Sequence, residues 1–377
     1  MDMNVILSLI FYFCIGVACI IAAKRADKHP KLSFWFIVIV LTLLAGLRHV
    51  SVGIDTQNYF NNFTQFESGY KSTINNINEP AFLMLSYVIL KLTGSFNLLL
   101  TVYALIINYF MIKRLFDMKN EIALPWALYM FMCQYYFMSI NTVRQWIATA
   151  LIFYFSKYIG KGFKGNACFV IAVAVATLFH KTALLGLAIL IIYYMFKKSK
   201  TPFAQVAKAA VLVMSPVAVV LLFAYMQSAY GAIYGSANFI GDVSYVNLLR
   251  LAVILILLFF TLFDEPHSLL IPDPNKTAEG NALSKQELRI NSIVMLCGIC
   301  CTMLVFMYRY ADRVGQYFLV FEMLVLPYYI KNSRVKLFVK IFVLVLFAFL
   351  RIMSFRANGY GESVYHFAWE QVGAIIQ

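Results

Sequence analysis

Long apolar runs separated by short polar loops dominate the chain. The runs lie near residues 3–23, 33–48, 96–112, 122–139, 143–159, 166–179, 181–196, 206–226, 247–263, 291–307, 315–330 and 335–352. A helix of about 20 apolar residues crosses the roughly 30 Å hydrocarbon core of a bilayer. The pattern therefore predicts an all-α, polytopic transmembrane helix bundle of about 12 spans over residues 1–353, with a tail at 354–377. Several runs are nearer to about 15 residues, which predicts tilted or kinked helices. The two runs flanking His180, counted here as spans, fit equally an alternative in which broken helices meet inside the membrane.

Loop charge orients the bundle. Lys24, Arg25, Lys28 and Lys31 place the first loop in the cytoplasm, because basic residues collect there. With alternating spans, the basic loops at 113–119, 157–164, 197–208, 276–289 and 331–340 fall on the same side. Residues 79–95 disturb the alternation. Counted as a full crossing, they would put every later basic loop outside. They are therefore predicted to form a re-entrant or interfacial helix on the outer side, with Lys91 near the outer headgroups. Both ends of the chain are then extracytoplasmic. The longest outer loop is about 49–79 and the longest inner one about 264–290; the inner loop, with Pro266, Pro272 and Pro274, reads as a connector. The first run lacks the basic start of a signal peptide, so it is expected to stay as a helix.

Composition supports lipid as the solvent. The chain is 62% hydrophobic and 13% charged, whereas soluble domains carry about 25% charged residues. The net charge of +14 would suggest nucleic acid in a soluble protein. Here the cytoplasmic loops account for it, and no nucleic-acid partner is expected. The seven cysteines all lie in apolar runs. Cys297 and Cys300 have the spacing of a metal or redox pair, but they sit within SIVMLCGICCTMLVF and read as small buried residues. There is no phosphate-binding loop, Asp-x-Asp pair or His-Glu-x-x-His motif, so no metal and no cofactor is expected.

Chemistry is sought among the basic residues left once the cytoplasmic loops are set aside: Arg48, Lys71, Lys91, Arg144, Lys181, Arg250, Arg309, Arg313, Arg351 and Arg356. Most are arginines, the residue suited to bidentate phosphate recognition. Outer positive charge is disfavoured, so each asks for a reason. Arg48 opens RHVSVGIDTQNY, in which Gly53 permits a tight turn. Asp55 and Thr56 are placed to cap a short helix carrying Tyr59; the plain alternative for Arg48 is snorkelling to headgroups. In NTVRQW, Asn141 is expected to cap a helix beginning near Thr142, with Arg144 in its first turn beside Gln145. A cation there opposes the helix dipole unless an anion sits at the helix start. His180 and Lys181 lie between apolar runs, and an imidazole can accept a proton or hold a hydroxyl. Arg309 and Arg313 share a helix face and repel, so a diphosphate would satisfy both. The acids available as a base are Asp55, Glu79, Asp312, Glu322 and Glu362, with Glu322 expected to pair inside the bundle. The aromatic tail, with Tyr360, Tyr365, His366 and Trp369, is expected to fold over the outer cavity.

Five segments in order, LRHVSVGIDTQNYF at 47–60, Glu79-Pro80, NTVRQWIATAL at 141–151, FHKTALL at 179–185 and RYADRVGQYF at 309–318, resemble the EpsG family of bacterial polysaccharide-biosynthesis membrane proteins, which belong with the Wzy-type polymerases. The resemblance covers about residues 40–330. It implies a GT-C-like, metal-independent glycosyltransferase in the bacterial cytoplasmic (inner) membrane. Such proteins polymerise repeat units of exopolysaccharide, capsule or O-antigen, moving glycan from undecaprenyl (polyprenyl) diphosphate to a sugar hydroxyl at the outer face. It implies as partners the polyprenyl-diphosphate-linked oligosaccharide, the lipid bilayer, and a flippase and chain-length regulator of the same pathway. On these positions His180, Asp55 and Arg144 are the catalytic candidates. Arg48, Arg309, Arg313, Asn141, Gln145, Tyr59, Glu79 and Lys181 are the candidates for binding diphosphate or glycan. The alternatives are another surface-glycan enzyme, a ligase or acyltransferase, or a non-enzymatic glycolipid transporter. A transporter would want polar groups at mid-membrane with access to both faces. Sidedness is testable directly: in a cysteine-free background, Thr142→Cys is expected to react with an impermeant maleimide from outside and Lys28→Cys only after permeabilisation.

Overall fold

A computed structural model describes residues 3–68, 79–197, 282–303, 311–332, 337–357 and 361–370. The predicted runs 206–226 and 247–263 lie outside the described residues, as do Arg250, Arg309, Tyr360 and most of the 264–290 loop. Two compact units are present. The first holds Met1–Tyr154, Ile171–Leu184 and Leu344–Gln377; the second holds Phe155–Val170 and Leu185–Val343.

The described elements are helical: α1 Met3–Lys24, α2 Pro30–Gly46, α3 Thr56–Ser68, α4 Pro80–Thr93, α5 Phe96–Asp117, α6 Leu124–Met130, α7 Tyr136–Asn141, α8 Val143–Phe155, α9 Gly162–Phe179, α10 Leu187–Phe196, α11 Ala282–Met303, α12 Ala311–Leu319, α13 Glu322–Asn332 and α14 Leu337–Arg356. A five-residue π-helix, Phe131–Tyr135, joins α6 to α7. Among the described residues, three helices, α1, α5 and α9, are long and apolar enough to cross a membrane, and four shorter apolar helices accompany them. Large side chains such as Phe13, Leu32, Leu337 and Val345 are exposed. A water-soluble chain does not turn so much apolar surface outward, and lipid is the solvent that suits it. The architecture is that of a helical membrane protein.

Several predicted spans are subdivided. The segment at 79–95, predicted to be re-entrant or interfacial, holds the 14-residue α4, about 21 Å long at 1.5 Å per residue. The run at 315–330 is two helices, α12 and α13, with the fully buried Glu322 opening the second. At His180 the α-helical ladder of α9 stops and a 3-10 turn, Lys181–Gly186, leads into α10. The His180 N–H still bonds to Ala176 O at 2.9 Å, while its carbonyl accepts from Ala183 N–H, also at 2.9 Å.

The tail is not a separate appendage. Helix α14 runs to Arg356, past the predicted boundary at 353. Residues 361–370 then lie antiparallel along the segment after α2. His49 N–H donates to His366 O, Ala368 N–H to Leu47 O and Gly53 N–H to Gly361 O, at 2.8, 2.8 and 2.9 Å. Tyr365 O–H donates to Leu44 O at 2.9 Å and Tyr365 N–H to Ser8 Oγ at 2.9 Å. Arg351 pairs with the fully buried Glu362 and lies 3.6 Å over the Phe137 ring. The strap therefore ties α1, α2 and α14 together.

Helices α2 and α5 pack along each other, and their approach is set at Gly46. A Cβ there would lie 2.1 Å from Thr101 Oγ1 and 2.8 Å from Thr101 Cα. Small residues allow such backbone proximity in lipid, where dispersion and hydrogen bonds replace the hydrophobic drive. Asn97 seals the junction, its Nδ2 donating to the carbonyls of Gly46 and Arg48 at 3.0 and 2.9 Å. Gly46→Ala is expected to destabilise the protein by about 1–3 kcal/mol, the usual cost of overpacking. Thermal unfolding in detergent measures this, and Thr101→Ala should restore only part of the loss because the Thr101 backbone is also in the way.

Candidate active site

Glu79 precedes α4, where an acidic side chain ordinarily caps its own helix. Pro80 occupies the first helical position and removes one of the N–H groups that need a cap. The Glu79 carboxylate makes no cap hydrogen bond and points elsewhere. Its Oε2 accepts from Arg144 at 2.6 Å and its Oε1 lies 2.6 Å from His180 Nδ1. Its side chain is 8% exposed, against 32% for Arg144 and 21% for His180. Burial raises the carboxyl pKa, but the His180 hydrogen bond and the Arg144 charge outweigh it, and the group lies below its ordinary 4.5. It is thus ionised at neutral pH. An ionised carboxylate only accepts, so His180 Nδ1 carries the hydrogen, and in the neutral ring Nε2 is left with a lone pair.

Three sides enclose Arg144. Tyr59, on α3, hydrogen-bonds to it, and burial keeps that phenol neutral by raising its pKa. The Phe82 ring lies 5.6 Å from the guanidinium carbon. Phe82 is itself stacked on Tyr103 at 5.0 Å, whose hydroxyl lies 2.7 Å from Ser86 Oγ. Arg144 is the second residue of α8, so its charge opposes the helix dipole. The anion that position calls for is Glu79. Neither Phe82 nor Tyr103 stood out in the sequence; the one signal that could have found Phe82 is its place one helical turn after Glu79.

Arg48 has a different surrounding. It is 1% exposed, and its guanidinium is committed to neutral oxygens. Nη2 donates to Ile140 O at 2.8 Å and to Thr56 Oγ1 at 3.5 Å, Nε donates to Val52 O at 3.3 Å, and Nη1 donates to Ala45 O. Ala45 and Ile140 lie in the last turns of α2 and α7, and carbonyls at helix C-termini attract a cation. The structure thus gives Arg48 the place of a buried clamp, neither snorkelling nor presented to a ligand.

Asn141 departs from its expected capping role. It closes α7, and its Oδ1 accepts the Asp55 backbone N–H at 2.9 Å. Gly53 adopts φ +99°, the left-handed turn its sequence suggested. Thr56 Oγ1 donates back to Val52 O at 2.7 Å. Asp55 is half-buried, Gln145 is buried and Lys181 opens the 3-10 turn. The structure therefore brings Asp55, Tyr59, Glu79, Asn141, Arg144 and His180 into one unit. Arg313, exposed on α12, belongs to the other unit, and Arg309 lies outside the described residues. Glu362 is taken by Arg351, which withdraws it from the candidate bases. Among the described residues, no group of His, Cys, Asp and Glu is arranged to hold a metal ion.

The model of the EpsG family matches residues 31–368. No curated protein and no solved structure matches the chain.

The depressed Glu79 pKa has a pH consequence. A carboxyl whose folded-state pKa lies below its unfolded value adds stability that is complete above the unfolded value, here 4.5, and is lost as pH falls through the folded one. Glu79→Gln is expected to cost about 1.5–3 kcal/mol at pH 7, the scale of a hydrogen bond to a charged group. It should also flatten the fall in thermal stability as pH drops below 4.5, read by scanning fluorimetry.

Proposed function

The chain belongs to the EpsG family, and from that premise and the Glu79 cluster we propose that it polymerises lipid-linked oligosaccharide repeat units. The growing glycan leaves its polyprenyl diphosphate and joins a sugar hydroxyl of the next lipid-linked unit at the outer face of the cytoplasmic membrane. The observation that carries this reading is Glu79 shared between Arg144 and His180, 2.6 Å from each.

In the proposed reaction the acceptor oxygen attacks the anomeric carbon and gives its proton to His180 Nε2. The bond from that carbon to the diphosphate breaks, and the lipid diphosphate leaves with the electron pair. Glu79 fixes the imidazole tautomer and stabilises the imidazolium that forms, as carboxylates do in other carboxylate–histidine pairs. Arg144 is oriented by Glu79 and Tyr59 through part of its fork and offers the remaining N–H groups to the diphosphate. Preorganised donors of this kind stabilise developing charge without reorganising. Asp55 and Lys181 are assigned to sugar contacts at the mouth of the site. Arg48 and Asn141 are assigned to holding the 47–55 loop in place.

Purified protein supplied with lipid-linked repeat units is expected to give a ladder of products. Arg144→Ala and His180→Ala should each lower the rate of chain growth by about 10²–10⁴-fold, the range for losing a positioned proton acceptor or a transition-state donor. Normal ladders from both variants, inserted and folded, would overturn the assignment, and a single transfer to a different acceptor would mark a ligase instead.

A further inference from the structure

A second polar site lies in the other unit, among residues that were expected to face the cytoplasm. A cleft of about 510 Å³, counted to its open mouth, is lined by Lys157, Gly160, Lys161, Tyr193, Glu287 and Asn291, with Ser156 and three isoleucines completing its wall. Its construction is specific. After the 3-10 turn Ser156–Tyr158 the chain passes through Gly160 at φ +80°. A Cβ on Gly160 would fall 1.8 Å from Tyr193 Oη, so only glycine lets this tyrosine close the wall. The turn is fixed by Asn166, whose Oδ1 accepts the Gly160 N–H at 2.9 Å. The ammonium groups of Lys157 and Lys161 lie 5.1 and 5.8 Å from the same Tyr158 ring. That ring holds both charges near the turn that forms the cleft wall.

Asn291 points to a ligand. It is 4% exposed and its Nδ2 has no hydrogen-bond partner. A buried amide donor left unpaired costs about 1–3 kcal/mol, so such a group in a cleft wall calls for an acceptor from outside the chain. Two ammonium groups share the cleft with it against one carboxylate, Glu287. The acceptor that suits an unpaired donor between cations is an anion, and lysine is a frequent phosphate ligand acting as a point charge.

We propose that this cleft binds a phosphate group, as a site separate from the Glu79 cluster. The group comes either from an anionic phospholipid of the inner leaflet or from a soluble phosphate, with Asn291 Nδ2, Lys157 and Lys161 as its ligands. The site does not rest on the polymerase reading.

The test uses the full chain in nanodiscs, as wild type, Asn291→Asp, Lys157→Gln/Lys161→Gln, and Lys113→Gln as a control on a lysine already paired with Asp117. Phosphatidylglycerol retention is read by native mass spectrometry, and thermal stability is read with inorganic phosphate in neutral lipid. Wild type is expected to keep phosphatidylglycerol, or to be stabilised by phosphate, with both changed sites weakening the response about 10- to 100-fold and Lys113→Gln leaving it intact. Loss confined to the lipid arm identifies a headgroup, and loss confined to the phosphate arm identifies a soluble ligand. Responses equal to wild type in both changed sites, or equally weakened in Lys113→Gln, would overturn the proposal. The double lysine variant, with changes at the turn rather than in a helix core, keeps the test decisive if Asn291→Asp fails to fold.

Discussion

Glu79 keeps a carboxylate at 8% exposure, and that is tolerable only while Arg144 and His180 both reach it. Taking such an ion out of water costs several kcal/mol even after relaxation, and the cost is met when every strong acceptor site is used. The three residues come from three separate places: the residue before α4, the first turn of α8 and the break after α9. Each is where a helix begins or ends. The level at which these helices stop therefore fixes the level of the site, and a shift of any one of them by a single turn, about 5.4 Å, would leave a buried charge alone. This makes the carboxylate a register mark for the unit as well as a part of its chemistry.

Arg48 and Arg144 show how helix ends sort two arginines that look alike in the chain. Arg48 rests on the carbonyl ends of α2 and α7, the negative poles of those helices, and needs no anion. Arg144 sits at the opposite kind of end and does need one. The first is consumed in holding the 47–55 loop; the second, a third exposed, keeps donors to spare. The strap at 361–370 completes the same loop from its other side, and Gly361, at φ +71°, packs against the Gly53 and Ile54 backbone too closely for a side chain. The loop is thus gripped by the strap, by Arg48 and by Asn141, and it delivers Tyr59 to Arg144.

Much of this was legible from residue types alone, and the limits are physical. Apolar run length found the helices, because bilayer thickness sets it. The awkward dipole position of Arg144 announced a missing anion, yet not that Glu79 supplies it, since the partner lies 65 residues away and a carboxylate before a Pro-led helix reads as an ordinary cap. The Arg48 clamp was hidden for a similar reason: its acceptors are backbone carbonyls, which carry no sequence signal. The breaks at Phe131–Tyr135 and near Glu322 were invisible because apolar composition runs straight through them. The strap was expected as a lid because its aromatic content was plain, while its hydrogen bonds to the 47–53 backbone were not.

The charge bookkeeping of the Glu79 cluster bears on why an acid should stand so close to a site proposed for a diphosphate. With His180 neutral, Glu79 and Arg144 cancel, and an arriving diphosphate meets no net repulsion. In the proposed reaction the imidazole takes a proton from the acceptor, and the cluster becomes net positive at the moment the departing lipid diphosphate gains negative charge. Without Glu79, that imidazolium would form beside Arg144 with nothing between them, and like charges in a poorly hydrated site raise the cost of forming the second. In that proposed reaction the carboxylate lowers the cost of the proton transfer, so its presence favours the charge-separated state over the ground state, which is the only kind of stabilisation that speeds a reaction.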